Sequence, residues 1–558
     1  MESSMRRRDL PALLLAAAMP LPALSSPALA AAPAARPRAE AEAMLRLAAR
    51  LRLLSVDGLS PRLYDIPPDA RLGADPQGHA AALYAAAGAA LADLVQGRVT
   101  EQPGRPDLRR DLSPARLAQW QAQLLRSPEP AEVIEQAALS HPDMPALRLA
   151  LQAVRARVEA GGWPLVPPGG TLDPGMADPV RIPALRARLA ADDTTLAAAP
   201  DAGELFDTAL EEAVRRWQAA HGLDVDGRVG PATLRLMNRP AEAWLGQVRV
   251  AMDMRRGAAA PPAGRRIEVN IPEFRLWVME GARTLLEMPV IVGKAARATP
   301  PLAVKMTAVQ FNPPWGVPER NAREDLLPRF RRDPRAMMEK GFRLFTVVGG
   351  ERVEVDPMTV DWASVNPQRF PYIVRQDASD VSALGRLKFV MPNGDDIYLH
   401  DTPDRHLFSR GDRALSSGCI RLSQPMELLA LVLENAPGWN RERAQAALDS
   451  RQTSFVGLAR TLPVRLAYTT VTVEDGLVRV RPDIYGLDAA YLRLLDQRRP
   501  APGAAPGAAP VPLAQNTASS TAGAPSAIPA PARPAPEQPR PARAEAPGPA
   551  EATKVASP

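Results

Sequence analysis

Near residue 265 the spacing of apolar residues changes from a helical period to a strand period, and no other feature limits the fold of this chain as much. Upstream, residues 43–51 place Met44, Leu47, Ala48 and Leu51 at helical spacing. Ser113-Pro114 offers an N-cap serine and a first-turn proline, and Leu147 to Val158 repeats the helical pattern. Downstream, Ile267, Val269 and Ile271 alternate and Leu276-Trp277-Val278 follows. Met288 to Gly293, Met306 to Phe311, Leu387 to Met391 and Ile397 to His400 also read as strands. Leu462 to Val473 and Leu477 to Arg481 read as a closing hairpin around Glu474-Asp475-Gly476, and Ser423 to Asn435 is the clearest helix among them. The expectation is a multidomain α+β protein: a helical scaffold with linkers over 31–179 and a mostly-β domain over 265–490.

Other segments punctuate this plan. Residues 1–30 carry basic Met5-Arg6-Arg7-Arg8, apolar Leu10 to Leu24 and the small-residue ending Pro27-Ala28-Leu29-Ala30, the order of a secretory signal cleaved after Ala30. At about 15 residues, interrupted by prolines, the apolar stretch falls short of the ~20 that a span needs. Left uncleaved, it would be a membrane anchor. No later segment reads as long and apolar enough to span. Pro164 to Pro179 separates the scaffold from a compact unit at 180–240, where Thr208 and Glu211 suggest a capping box and Leu210, Val214 and Trp217 share a helix face. Residues 320–385 interrupt the strands with charged, irregular sequence, an insertion suited to a lid. Residues 491–558 read as a disordered Pro/Ala-rich tail.

The net charge is +6, but no basic run is interleaved with aromatics, so nucleic acid is not an expected partner. H-E-x-x-H, C-x-x-C and Walker-type glycine loops do not occur, so neither metal nor cofactor is called for. Cys419 is the only cysteine. It can form neither an internal disulfide nor a cysteine cluster, and in an exported chain structural cysteines pair. An inert buried thiol or a nucleophile remains, and Gly418 before it, Arg421 after it and His400 upstream favour the nucleophile. A thiol attacks as thiolate and needs a base or cation beside it. Of five histidines, His79 and His141 fall in the scaffold, His221 in the small unit and His406 in a loop. Only His400 ends a strand in the domain of Cys419, and Tyr398 projects from the same face of that strand.

These residues carry a resemblance. Tyr398-Leu399-His400-Asp401-Thr402-Pro403, followed by Ser416-Ser417-Gly418-Cys419-Ile420-Arg421, resembles the active-site signature of L,D-transpeptidases with the YkuD-type fold. Many members have histidine where this chain has Ser417. That departure, the insertion, the helical region and Asn312 to Pro318 look like the YcbB-type subfamily. Trp217-Gln218, Gly222-Leu223, Asp226-Gly227, Val229-Gly230 and Thr233 resemble the three-helix peptidoglycan-binding domain. The resemblance implies a periplasmic enzyme in cell-wall biogenesis that forms 3→3 crosslinks between stem peptides through a cysteine acyl-enzyme. Its partners would be a donor tetrapeptide and an acceptor amine, and carbapenem-type inhibitors would acylate the same thiol. Cys419 would be the nucleophile and His400 the general base and acid, with Tyr398 and Gly418 in the oxyanion region. Arg421, Ser417 and Thr402 would contact substrate. L,D-carboxypeptidase action, attachment of proteins to peptidoglycan by the same site, and a non-catalytic wall-binding scaffold remain alternatives.

Overall fold

The computed structural model describes residues 38–200 and 203–499. The expected signal segment 1–30, and the tail from residue 500 onward, lie outside the described residues.

The helical region opens with Arg38–Arg52, Pro76–Gln96, Pro114–Arg126, Pro130–Ala138 and Met144–Glu159. Proline at the first turn starts several of them, and Asp75 caps Pro76–Gln96 by accepting from the Gly78 amide. This helix corrects one expectation: with 21 residues it is long and apolar enough to cross a membrane, but two thirds of its most apolar stretch is packed inside the protein. It is the central helix of the region's core, with Leu83, Leu91 and Leu94 fully buried beside Leu47, Leu51 and Ile134. The core is not confined to 31–179. Val250 from helix Ala241–Arg255, and Tyr491 and Leu495 from helix Leu487–Asp496, are buried in it. Residues 491–496 are therefore a packed helix rather than the start of a tail. Leu495 and Gln497 carbonyls accept from the Arg98 guanidinium across the chain.

In the small unit, helices Arg181–Ala190, Thr208–Ala220 and Pro231–Met237 bury Leu185, Leu210, Val214 and Trp217 together. The N-cap of Thr208–Ala220 is Asp207, whose carboxylate accepts from the Leu210 amide, while Glu211 pairs with Arg215. The expected Thr208/Glu211 capping box does not form: the cap is Asp207 alone, and the N3 residue, Leu210, cannot return a side-chain bond. The Gln218 side chain bridges the following turn, donating to Asp226 and to the Arg228 carbonyl and accepting from the Gly227 amide. That bond set is the physical reason for the glutamine and the Asp-Gly pair in this pattern.

The strands are β1 (Arg265–Asn270), β2 (Arg275–Glu280), β3 (Arg283–Gly293), β4 (Leu302–Phe311), β5 (Trp315–Gly316), β6 (Phe342–Val348), β7 (Glu351–Val355), β8 (Ile373–Gln376), β9 (Leu387–Val390), β10 (Leu399–His400), β11 (Ala414–Ser416), β12 (Ile420–Leu422), β13 (Ser454–Ala467), β14 (Val471–Glu474) and β15 (Leu477–Val480). A nine-stranded sheet runs β11-β3-β12-β10-β9-β4-β13-β1-β2. β2 also pairs with β3, closing every strand but β11 into a ring and leaving few free edges. Its core holds Val269, Met306, Phe311, Phe389, Leu399 and Ile420, and helix Pro425–Leu433 buries Leu428 and Val432 against it. The expected Leu462–Val473 strand divides: β13 belongs to the barrel, whereas β14 pairs only with β15.

The insertion is not irregular. β5, β8, β6 and β7 form a four-stranded sheet, and short helices between residues 319 and 339 cover it. Phe330, Phe342, Leu344, Trp362 and Val374 make a separate small core, with Phe330 stacked on Trp362 at 4.5 Å. The many arginines sit on its outside, which is why the sequence reads as charged. Through Arg498, all these parts form one unit.

Candidate active site

Alternation along three neighbouring strands builds the site. His400 lies opposite Lys388 of β9 on one side and Arg421 of β12 on the other. The adjacent register row, Phe389, Leu399 and Ile420, is fully buried in the barrel core. Successive side chains point to opposite faces, so burying that apolar row turns Lys388, His400 and Arg421 to the other face. Tyr398 and Cys419 immediately precede the paired residues Leu399 and Ile420, and they extend the polar face.

The turn before the thiol is held rigidly. Gly418 has φ +123°, a conformation that side-chain-bearing residues rarely adopt. The Ser416 hydroxyl donates to the Cys419 carbonyl at 2.6 Å and accepts from the Gly418 amide at 3.1 Å. On the other side, the Thr299 hydroxyl donates to the Gly418 carbonyl at 2.6 Å and accepts from the Gly293 amide. The thiol is half-buried, and it donates to the Asp396 carbonyl at 3.7 Å.

His400 is 4 % exposed and its Nδ1 lies 2.6 Å from the Asp401 carbonyl. A carbonyl only accepts, so Nδ1 carries the proton and Nε2 keeps its lone pair. Burial, then the charges of Arg421 and Lys388, push its pKa down to about 3, so the ring is neutral at neutral pH. Burial pushes the Cys419 thiol above its ordinary range, opposed by hydrogen bonds from the Tyr398 amide and hydroxyl and by the Lys388 charge. The resting pair is therefore a neutral thiol and a neutral imidazole, not a preformed ion pair. Tyr398 is raised, first by burial and then by Cys419, so its hydroxyl remains a neutral donor beside the sulfur.

The structure supplies residues that sequence reasoning passed over. Lys388 places its ammonium 3.9 Å from the centre of the Tyr398 ring, a cation–π contact beside the thiol. Burial lowers its pKa while Cys419 raises it. Its only sequence signal was a polar residue within an apolar strand. Asp401 accepts from His400 through its carbonyl, and its carboxylate accepts from the Thr402 and Arg386 amides and from Arg405, fixing the loop that orients the imidazole. Trp315 hydrogen-bonds the Tyr398 hydroxyl from β5, which joins the insertion's sheet although it precedes the expected start at residue 320. Arg297 joins insertion and active-site turn: it is 6 % exposed, donates to the Ser417 hydroxyl at 2.8 Å and pairs with Glu324 and Asp325.

Each of the three residues expected to contact substrate has an intramolecular partner, though Ser417 is exposed and Arg421 half-buried, and only Thr402 is buried. Ser417 accepts from Arg297. Arg421 pairs with Asp404 at 2.9 Å. Thr402 is 2 % exposed and its hydroxyl accepts from the Asp404 amide, which leaves it shaping the loop.

Residues 264–439 match the YkuD family, described as the L,D-transpeptidase catalytic domain. Residues 182–237 match a family described as "Putative peptidoglycan binding domain". A curated Haemophilus influenzae protein described as "Putative L,D-transpeptidase" is 42% identical over 240 residues, 43% of this chain and 48% of the relative. The chain thus spans about half the length of the curated relative it matches. Among solved structures, an L,D-transpeptidase from Mycobacterium smegmatis is 16% identical with TM-score 0.18, covering 37% of this chain and 59% of its own. One from Stackebrandtia nassauensis is 14% identical with TM-score 0.19, covering 55% of this chain and 96% of its own. TM-scores this low leave the fold to rest on the family matches and on the topology itself.

Proposed function

We propose that this chain, which carries a YkuD-type L,D-transpeptidase catalytic domain, crosslinks peptidoglycan stem peptides in the periplasm, with Cys419 as nucleophile and His400 as its general base. The observation that carries this reading is the His400 tautomer: a neutral ring with Nδ1 committed to Asp401 and a free lone pair on Nε2, on the same face as the thiol. Nε2 takes the thiol proton as sulfur attacks the carbonyl between the third and fourth stem residues. The oxyanion forms beside the Cys419 amide and the Tyr398 hydroxyl, donors that need no reorganisation. Nε2–H then protonates the departing D-alanine amine, the C–N bond breaks and a thioester remains. An amine from a second stem loses its proton to Nε2, attacks the thioester and releases the thiolate, which regains that proton.

The insertion favours transfer over hydrolysis. Arg297 ties it to the active-site turn and Trp315 reaches Tyr398, so it is placed to act as a lid that orders the acceptor and excludes water. Ser417 and this folded insertion fit the YcbB-type subfamily. The test is mass spectrometry of muropeptides after incubation with purified sacculi: 3→3 crosslinked dimers support the reading, and tripeptides without dimers identify a carboxypeptidase. A carbapenem should add covalently to the wild-type chain and not to Cys419→Ala.

A further inference from the structure

A cavity of about 600 Å³ lies on the seam between the 182–237 module and the catalytic barrel, away from the thiol. Arg235 lines it from the module and Arg239 from just beyond the module's last helix, with Arg275, Arg413 and Arg481 on the barrel side. Two of these charges are already answered: Arg275 pairs with Glu287, and Arg481 pairs with Glu273 at 2.8 Å. The other three have no ion pair among the described residues. The Arg239 guanidinium donates only to the Gln247 amide oxygen. Arg413 donates to the Arg410 and Phe274 carbonyls, and its Nε is buried without a partner. The carboxylates in the lining do not balance them. Glu273 is taken by Arg481, and Asp483 accepts from the Tyr468 hydroxyl and the Leu487 and Asp488 amides. Asp412 alone remains, exposed and turned to the Ala414 amide. Burial, and the neighbouring Arg275, push Arg413 below its ordinary range, although Asp224 and Asp412 act against this. Arg235 is exposed and Arg239 and Arg413 are half-buried, Arg413 also lying over the Phe274 ring at 5.4 Å, so like charges converge on an open cavity without a carboxylate pairing them, an arrangement that attracts an anion.

The seam is also fixed. Gly411 donates to the Asp224 carboxylate, and a Cβ on Gly411 would lie 2.2 Å from the Asp224 nitrogen. Module and loop therefore meet backbone to backbone. Arg413 leads directly into β11 and the turn that holds Cys419, and its carbonyl accepts from the Val292 amide. A ligand in the cavity would touch the wall-binding module and the active-site loop at once.

We infer that this cavity binds a ligand bearing two or more carboxylates, presented by a peptidoglycan stem peptide, through Arg235, Arg239 and Arg413. The inference rests on the peptidoglycan reading and adds to it a second stem-binding site, apart from the one where chemistry occurs. Planar guanidinium groups match carboxylates two bonds at a time, which suits this set better than lysines would.

The test uses the full chain with Cys419 capped by iodoacetamide, titrated calorimetrically with a soluble disaccharide-tetrapeptide. The capped chain should bind it. Arg235→Gln/Arg239→Gln should weaken binding about tenfold or more, as loss of charge-assisted bonds predicts. Arg413→Gln, on the opposite wall, should do the same, with melting temperatures recorded for both. Amidating the ligand's carboxylates should abolish the arginine-dependent part, and free citrate should bind far more weakly than the muropeptide. Unchanged affinity in folded variants, equal binding of the amidated ligand, or citrate binding as tightly as the muropeptide would each overturn the inference. The failures separate: crosslinking by the uncapped chain with unchanged affinity in the arginine variants removes only the cavity, whereas arginine-dependent binding without crosslinking removes only the catalytic reading.

Discussion

The helical region and the barrel's active face both bury charge, and they treat it in opposite ways. Within the helical core, Asp253 accepts from the Arg98 and Val99 amides, from the Tyr491 hydroxyl at 2.7 Å and from Arg110 at 3.3 Å. Arg98 pairs with Asp93, and Arg105 with Asp107, each pair almost wholly buried. At the active face, Lys388, His400 and Cys419 share one surface without a carboxylate in ion-pair contact with Lys388 or His400 among the described residues. Their protonation shifts instead. A buried charge with full partners holds elements together, whereas a titratable group denied a partner keeps its proton available for chemistry.

Substituting both regions separates the two uses of charge. His400→Gln keeps the ring's volume but cannot relay a proton, so crosslinking should fall about 10²–10⁴-fold. Its melting temperature should stay near that of wild type; a large loss of stability with activity per folded molecule intact would break the comparison. Asp253→Ala should behave in reverse. Removing one member of a buried charge network costs about 3–5 kcal/mol, read by denaturant unfolding. The folded fraction should keep the wild-type alkylation rate at Cys419.

Arg297→Gln tests whether the insertion belongs to the chemical region. Releasing Glu324, Asp325 and Ser417 together should cut crosslinked dimer severalfold and raise the hydrolysed tripeptide, with thiol alkylation unchanged. Full crosslinking in a folded variant would make the insertion an ornament.

What the sequence showed depended on the distance over which each feature is encoded. That Cys419 and His400 meet on one face was legible because two neighbouring strands and the loop between them carry the whole signature. Lys388 was not: only the β9–β10 register puts it opposite His400, and register is set by the burial of Phe389 and Leu399. Asp401 stood in the quoted motif, yet it holds the imidazole through a main-chain carbonyl, which leaves no side-chain signal, while its carboxylate fixes the loop. The upstream helices were legible by period. Closure of their core by Ala241–Arg255 and Leu487–Asp496 was not, since packing between distant segments has no local period, and Tyr491 read as the last aromatic before a tail.

Smaller effects refine the contrast. Lys388→Met removes the cation that opposes the burial shift of Cys419, so the alkylation-rate profile should move to higher pH by a fraction of a unit to a unit. A profile that stays in place would show that Lys388 serves only to support Tyr398. The wild-type profile should itself rise through the alkaline range without a neutral plateau, because neither partner is ionised at rest.

Asp488 is the exception within the structural region. It is buried between Thr470 and Gln247, and burial, then Asp483, raise its pKa to about 7. Over the range between the ordinary carboxyl value and about 7 the folded state holds more protons than the unfolded one. Its stabilising contribution is therefore complete below the ordinary value and is lost as pH rises through about 7. Asp488→Asn should gain stability relative to wild type at pH 8 compared with pH 5. An identical difference at both pH values would mean the carboxyl is ionised throughout.

The most direct measurement is the intact mass of the full chain quenched during turnover of a disaccharide-tetrapeptide. The account predicts a wild-type adduct equal to the muropeptide less D-alanine, labile to hydroxylamine as a thioester is, and no adduct on Cys419→Ala. An adduct that persists on Cys419→Ala, or crosslinked product formed by that variant, would contradict it.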